Sequence, residues 1–232
     1  GVSIWATGSI TIDGVAEACM LEAGKDIILR GGMLGGNKAS VKTKGAITAK
    51  FFEFTNILCE GDLQADVLMD CSVICHGQIR LTGRKGSIIG GKVQAIRGLI
   101  ATSLGNDAEK RTEIFVGAGI DVYSRLRVME KKIEMTREEL AKIEEGLESY
   151  TSVARRTSLL RIKIKDSAML ASDEEEVRKL RILAESSKGA CVSVLQEIYP
   201  GVIINMDELK LALKNMATGV EFYKLPDKIG TR

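Results

Sequence analysis

Residues 45–81 read Gly45-Ala-Ile-Thr-Ala-Lys-Phe-Phe-Glu-Phe-Thr-Asn-Ile-Leu-Cys-Glu60, then Gly61-Asp-Leu-Gln-Ala-Asp-Val-Leu-Met-Asp-Cys-Ser-Val-Ile-Cys-His76, then Gly77-Gln-Ile-Arg-Leu81. The glycines that open the three blocks, Gly45, Gly61 and Gly77, fall sixteen residues apart. On that period Ile47, Leu63 and Ile79 align, as do Ala49, Ala65 and Leu81. Val41, Ile57 and Val73 form a third column, and Thr43, Cys59 and Cys75 a fourth. Side chains two apart on a strand share a face, so each column becomes an interior ladder when successive turns of chain stack. A fixed period of this kind marks a solenoid.

The pattern extends both ways with uneven steps. Gly8-Ser-Ile10 and Gly24-Lys-Asp-Ile27 are two earlier starts. The steps from Gly24 to Gly45 and from Gly77 to Gly98 are each twenty-one residues and carry glycine-rich stretches, Gly31–Lys38 and Gly83–Gly91. Gly98-Leu-Ile100-Ala-Thr102 continues the first columns, while Val93 with Ala95 and Ile114 with Val116 continue the others. The fold expected is mainly β with an α insertion: a right-handed parallel β-helix with rungs of 16–21 residues, interrupted by an antiparallel α-helical coiled-coil hairpin.

The interruption is a change of composition at Gly119. Between Asp121 and Lys188 there is one glycine, Gly146, no proline, and a dense mix of both charges. Leu126, Met129, Ile133, Leu140, Ile143, Leu147 and Tyr150 alternate by three and four, broken only at Thr136, which is a coiled-coil seam. Val177, Leu180 and Leu183 or Ala184 are the clearest part of a second helix-period set, with Ser172-Asp-Glu-Glu175 as a candidate helix start. The tip is placed at Thr151–Ser158, with a break at Ala171-Ser172 as the alternative. After Gly189 the β pattern returns through Val192, Val194, the turn signal Tyr199-Pro-Gly201, Val202, Ile204 and Val220, the last two again sixteen apart. The expected domains are residues 1–120 (first part of the β-helix), 121–189 (hairpin) and 190–232 (closing rungs and a cap). Proline and charge at Tyr223-Lys-Leu-Pro-Asp-Lys228 blunt that last edge.

Composition excludes several function classes. A net charge of +2, from 33 basic and 31 acidic residues, gives no electrostatic case for nucleic acid. Few aromatics argue against base-stacking or carbohydrate platforms. No apolar run spans a bilayer, so no membrane insertion is expected. Five cysteines in no framework spacing point to a reducing compartment, hence the cytoplasm. The chain opens inside an apparent rung, which leads us to expect a longer protein.

Four constellations invite chemistry. Gly86-Ser-Ile-Ile-Gly-Gly-Lys-Val93 approaches a phosphate-binding loop but puts Val93 where a magnesium-binding hydroxyl is needed, and Gly31–Lys38 fails because Asn37 precedes the lysine. Cys71-x-x-x-Cys75-His76 with Cys59 invites zinc, yet Cys59 and Cys75 sit in an interior column, where cysteine behaves as a small hydrophobe. His76, the single histidine, matches the base of an acyltransferase β-helix only if the period were eighteen. Asp62, Asp66 and Asp70 evoke carboxylate-based glycan cleavage, but their spacing does not place them on one strand face. No catalytic, metal or cofactor residue is therefore assigned, and no cofactor is expected.

The opening Val2-Ser-Ile-Trp-Ala-Thr-Gly-Ser-Ile10, the stretch Gly31-Gly-Met-Leu-Gly-Gly-Asn-Lys38 and the return Ile198-Tyr-Pro-Gly-Val-Ile-Ile204 resemble the flagellar assembly protein A (FapA) family of bacterial polymer-forming-like β-helix proteins. The resemblance covers essentially the whole chain, with one departure at Leu195-Gln-Glu197, where a glycine is more usual. It implies a further N-terminal domain, and a cytoplasmic protein of flagellar assembly or cell-pole organisation with no catalytic motif. The expected function is a scaffold or regulatory protein whose coiled-coil arm binds protein partners, with homo-oligomers possible in principle. The alternatives are a self-assembling bactofilin-like polymer and, further off, a glycan- or acyl-acting β-helix enzyme.

Overall fold

The computed structural model describes residues 2–149 and 152–232, without the side chains of Ile120 and Asp121. Two compact units divide the chain: residues 1–119 with 186–232, and residues 120–185. The first is a parallel β-solenoid of about six turns. Its first turn is β1 (Ser3–Ala6), β2 (Ile10–Ile12) and β3 (Ala16–Glu17), and its second β4 (Met20–Ala23), β5 (Ile27–Leu29) and the start of β6 (Met33–Thr43). Then follow β7 (Ile47–Ala49), β8 (Phe51–Cys59), β9 (Leu63–Gln64), β10 (Val67–Cys75), β11 (Ile79–Leu81), β12 (Ser87–Ala95), β13 (Leu99–Leu104) and β14 (Thr112–Val116). Each turn has three faces, and the long strands bend from the third face of one turn into the first face of the next.

The ladders run in register. Ile47 pairs with Leu63 and Leu63 with Ile79, while Val41, Ile57, Val73, Val93, Ile114 and Ile204 stand in one column, all buried. In-register parallel stacking forces every inward position to repeat an apolar residue. Each of these fully buried aliphatics contributes about 1.5–3 kcal/mol over its exposed state. The bend between third and first faces needs a left-handed residue in successive turns: Asn37 (φ 60°), Phe54 (45°), Asp70 (50°) and Gly90 (72°). Both glycine-rich stretches cross this bend as strand, with residues 33–38 on β6 and 87–91 on β12. The two long rungs grow in different places. Gly35–Lys38 bulges out of β6, where pairing to β8 jumps from Leu34 to Ala39, whereas the second long rung gains residues 82–86 between β11 and β12.

Two helices, α1 (Gly119–Ser149) and α2 (Val153–Ser186), leave the solenoid after β14, at the corner between first and second faces that Gly45, Gly61 and Gly77 turn in other rungs. The chain re-enters as β15 (Cys191–Ile198) and β16 (Val202–Met206). Stacking passes straight across the insertion: β13 pairs in parallel with β15, Leu99 opposite Val192, and β14 with β16, Ile114 opposite Ile204.

The closing strands correct one expectation. β17 (Leu209–Ala212) and β18 (Ala217–Lys224) run antiparallel to β16 and β15, and β19 (Ile229–Thr231) antiparallel to β18. The sixteen-residue step from Ile204 to Val220 is therefore no rung. Asp207, at φ 52°, reverses the chain in a two-residue turn after Met206, and the reversed strands cover the last turn.

The candidate functional site is the helical hairpin

The solenoid separates the residues that invited chemistry. Gly86–Val93 falls on β12, and the phosphate-binding motif needs a loop that opens a helix. Its glycines serve packing. A Cβ at Gly91 would overlap the carbonyl oxygen of Cys71 on the turn before, and one at Gly90 the carboxylate of Asp70. At Gly31–Lys38 a Cβ on Gly32 would meet the Phe51 ring.

Cys59 and Cys75 are in-register neighbours at full burial, and their thiols point at corner carbonyls: Cys59 Sγ donates to Gly45 O at 3.3 Å, Cys75 Sγ to Gly61 O at 3.2 Å. The hydrogen bond with Cys59, together with burial, pushes the Cys75 thiol up. Cys71 shares the inward face of β10 but lies four residues away, about 13 Å along extended chain, so it cannot join them at a tetrahedral ion. Burial pushes its thiol to about 11. His76 is half-buried at the corner just after β10. Among the described residues no three His, Cys, Asp or Glu side chains cluster as a metal site.

Asp62, Asp66 and Asp70 occupy three different corners of one turn. Asp62 Oδ1 accepts from the backbone of Gln78 at 2.8 Å, as Asp26 Oδ1 accepts from Ala46. Asp66 packs against Gly83, and Asp70 pairs with Lys110 at 2.5 Å. Carboxylates so divided cannot share one glycosidic bond.

The hairpin is the remaining candidate. The α1 seam lies where the spacing placed it: Leu126, Met129, Leu140, Ile143 and Leu147 are half-buried, and Ile133 and Thr136 are buried. Tyr150 and Thr151 lie outside the described residues, and Val153–Ser158, assigned to the tip from sequence, is helical. Ser172-Asp-Glu-Glu175 sits inside α2 and starts no helix. The α2 seam is Leu159, Lys163, Asp166, Leu170, Asp173, Val177, Leu180 and Ala184, a regular alternation of four and three in which Lys163, Asp166 and Asp173 are polar. Those three residues hid the heptads from a hydrophobic reading.

Charge pattern selects the antiparallel pairing. The first half of α2 is mainly basic, the second halves of both helices are mainly acidic, and the first half of α1 is mixed. Folding back brings the basic half of α2 beside the acidic half of α1. Arg125 pairs with Glu176, Arg137 with Glu174 (2.6 Å), Lys163 with Glu144 (2.7 Å) and Arg181 with Glu130 (2.6 Å). Most of these ions are well exposed, so each adds at most about 1 kcal/mol and the set chooses register more than it stabilises. Lys132 with Asp173 differs. Asp173 is only 9% exposed, and Lys132 Nζ stands 2.7 Å from Oδ2 as an ion pair without hydrogen-bond alignment. A single buried polar layer beside Thr136 penalises slipped registers, as polar seam residues do in coiled coils.

The root of α1 has a cap that no local pattern predicts. Gly119, its first residue, donates its N–H to Asp207 Oδ1 at 3.2 Å, and Lys224 Nζ holds Oδ2 at 2.6 Å. A carboxylate at a helix N-terminus satisfies an orphan donor and faces the positive end of the helix dipole. Asp207→Ala is expected to weaken the start of α1 by about 1 kcal/mol, read as faster amide exchange at Gly119 with the ladders still protected. Asp207→Asn, which keeps an acceptor and tolerates positive φ, is expected to retain most of that protection.

Comparison with known protein families matches residues 1–229 to FapA, described as the flagellar assembly protein A beta solenoid domain. No curated protein and no solved structure matches. The match runs through both parts of the solenoid and the hairpin set between them, and the chain belongs to the flagellar assembly protein A family.

Proposed function

We propose that this domain serves flagellar assembly as a non-catalytic cytoplasmic scaffold, with the helical hairpin as the element that binds protein partners. Family membership supports the flagellar role. The observation that carries the hairpin's part is the direct pairing of β13 with β15 across the insertion. The ladders close without the helices, so solenoid packing gives no reason for two helices of 31 and 34 residues. Among the described residues no helix is long and apolar enough to cross a membrane.

The test is a variant in which residues 121–188 are replaced by a short Gly/Ser link, returned to a flagellated bacterium lacking its own copy. The β signature in circular dichroism is expected to persist while motility is lost. Full motility with the shortened chain would remove the hairpin from the function. An end-to-end polymer is the weaker reading, because antiparallel β17 and β18 cover the last turn where another solenoid would stack.

A further inference from the structure

Helix α2 carries a second apolar stripe on the side opposite its seam. Val153, Leu160, Ile164, Ala168 and Ala171 recur at steps of seven, four, four and three, which keeps them in one line on a helix. All are exposed, Leu160 by 47% and Ile164 by 70%. Bases border the line, Arg156 on one side, Arg161 and Lys165 on the other, and none of the three enters an ion pair among the described residues. Residues 153–165 contain no acid.

We infer that this stripe seats a third helix from another protein, an amphipathic helix whose apolar line is flanked by Asp and Glu. The inference rests on the hairpin being the partner-binding element and names the chemistry of its partner. An apolar line at three- and four-residue steps is the surface on which a second amphipathic helix packs. Ala168 and Ala171 let a second backbone come close at one end, and Leu160 and Ile164 supply knobs at the other. The uncovered bases set the sign of the flanks. A membrane surface fits less well. Surface-seeking helices offer a broad apolar face with Trp or Phe, and this line is narrow and has no aromatic residue. A second copy fits less well too, since pairing two α2 stripes brings base against base.

The probe is a designed helical peptide of about 21 residues, three heptads, with Leu and Ile on its apolar line and Glu on both flanks. It is titrated against the whole chain by fluorescence anisotropy beside the same peptide carrying Lys flanks. Vesicles of phosphatidylglycerol and phosphatidylcholine and a dilution series by light scattering run in parallel. The Glu-flanked peptide is expected to bind, more weakly as salt rises. The double charge reversal Arg161→Glu, Lys165→Glu is expected to weaken it roughly tenfold or more, and Ile164→Asn to weaken it without loss of helix, since Ile164 is exposed. Equal binding of the Lys-flanked peptide, indifference to the charge reversal, vesicle binding without peptide binding, or a dimer lost on Ile164→Asn would each overturn the assignment. If motility still depends on the hairpin while the Glu-flanked peptide fails to bind, the partner class falls and the hairpin's role stands.

Discussion

Gly91→Ala is expected to cost the solenoid about 3–4 kcal/mol, while Gly36→Ala costs only about 1 kcal/mol. Both glycines are left-handed, at φ 79° and 54°. For an L-residue that conformation alone costs roughly 1–2 kcal/mol. Space separates them. Nothing lies within 4 Å of a Cβ at Gly36, on the outward bulge of β6, whereas at Gly91 the Cβ would run into the carbonyl and amide of Cys71 on the turn before. Those are backbone atoms held by the β10–β12 ladder, so relief requires the turns to part, an overpacking cost of about 1–3 kcal/mol more. Urea midpoints of the two variants measure the difference at constant slope. Equal losses at both positions would mean that conformation, and not the spacing between turns, demands glycine at position 91.

This contrast also shows which parts of the fold a linear reading reaches. The columns Ile47–Leu63–Ile79 and Val41–Ile57–Val73 were legible because parallel in-register stacking turns a spatial repeat into a sequence period. The α1 seam was legible for the same reason, a periodic burial with only Thr136 polar. Where burial and polarity part company the signal fails. Lys163, Asp166 and Asp173 occupy seam positions of α2, so its heptads vanish from a hydrophobic count and Ser172–Glu175 imitates a helix start. The return of the chain after Met206 depends on one left-handed residue, Asp207, and a sixteen-residue coincidence between Ile204 and Val220 outweighs it on paper.

The candidate chemistry failed for a geometric reason. Asp62, Asp66 and Asp70 are near in sequence, but three-faced turns send each to a different corner. Cys59 and Cys75 are sixteen residues apart and touch. The stripe on α2 lies between these cases. Val153, Leu160 and Ile164 are plain in the sequence, but only the position of the true seam, set by the ion pairs to α1, shows that they face outward.

Cys71, whose carbonyl excludes a side chain at Gly91, is also expected to make the solenoid sensitive to alkali. Burial holds its thiol to about 11 against 9.0 for the free group. The sign follows from which state keeps the proton. The folded state binds it more tightly than the unfolded chain, so the contribution is fully present below pH 9 and is lost as pH rises from 9 through 11. A shift of that size amounts to roughly 3 kcal/mol in full, and roughly 2 kcal/mol of it is gone by about pH 10.5. Cys75, Cys19 and Cys191 are raised as well and act in the same direction, so the wild-type slope alone does not isolate Cys71. Cys71→Ala does. The variant is expected to be less stable than wild type near pH 8, where alanine leaves part of the thiol's volume empty, and to lose roughly 2 kcal/mol less than wild type between about pH 8 and 10.5. Parallel stability curves for the two proteins would show that the Cys71 thiol ionises inside the folded solenoid as easily as in water, which its place between Thr55 and Gly91 in the inner ladder does not allow.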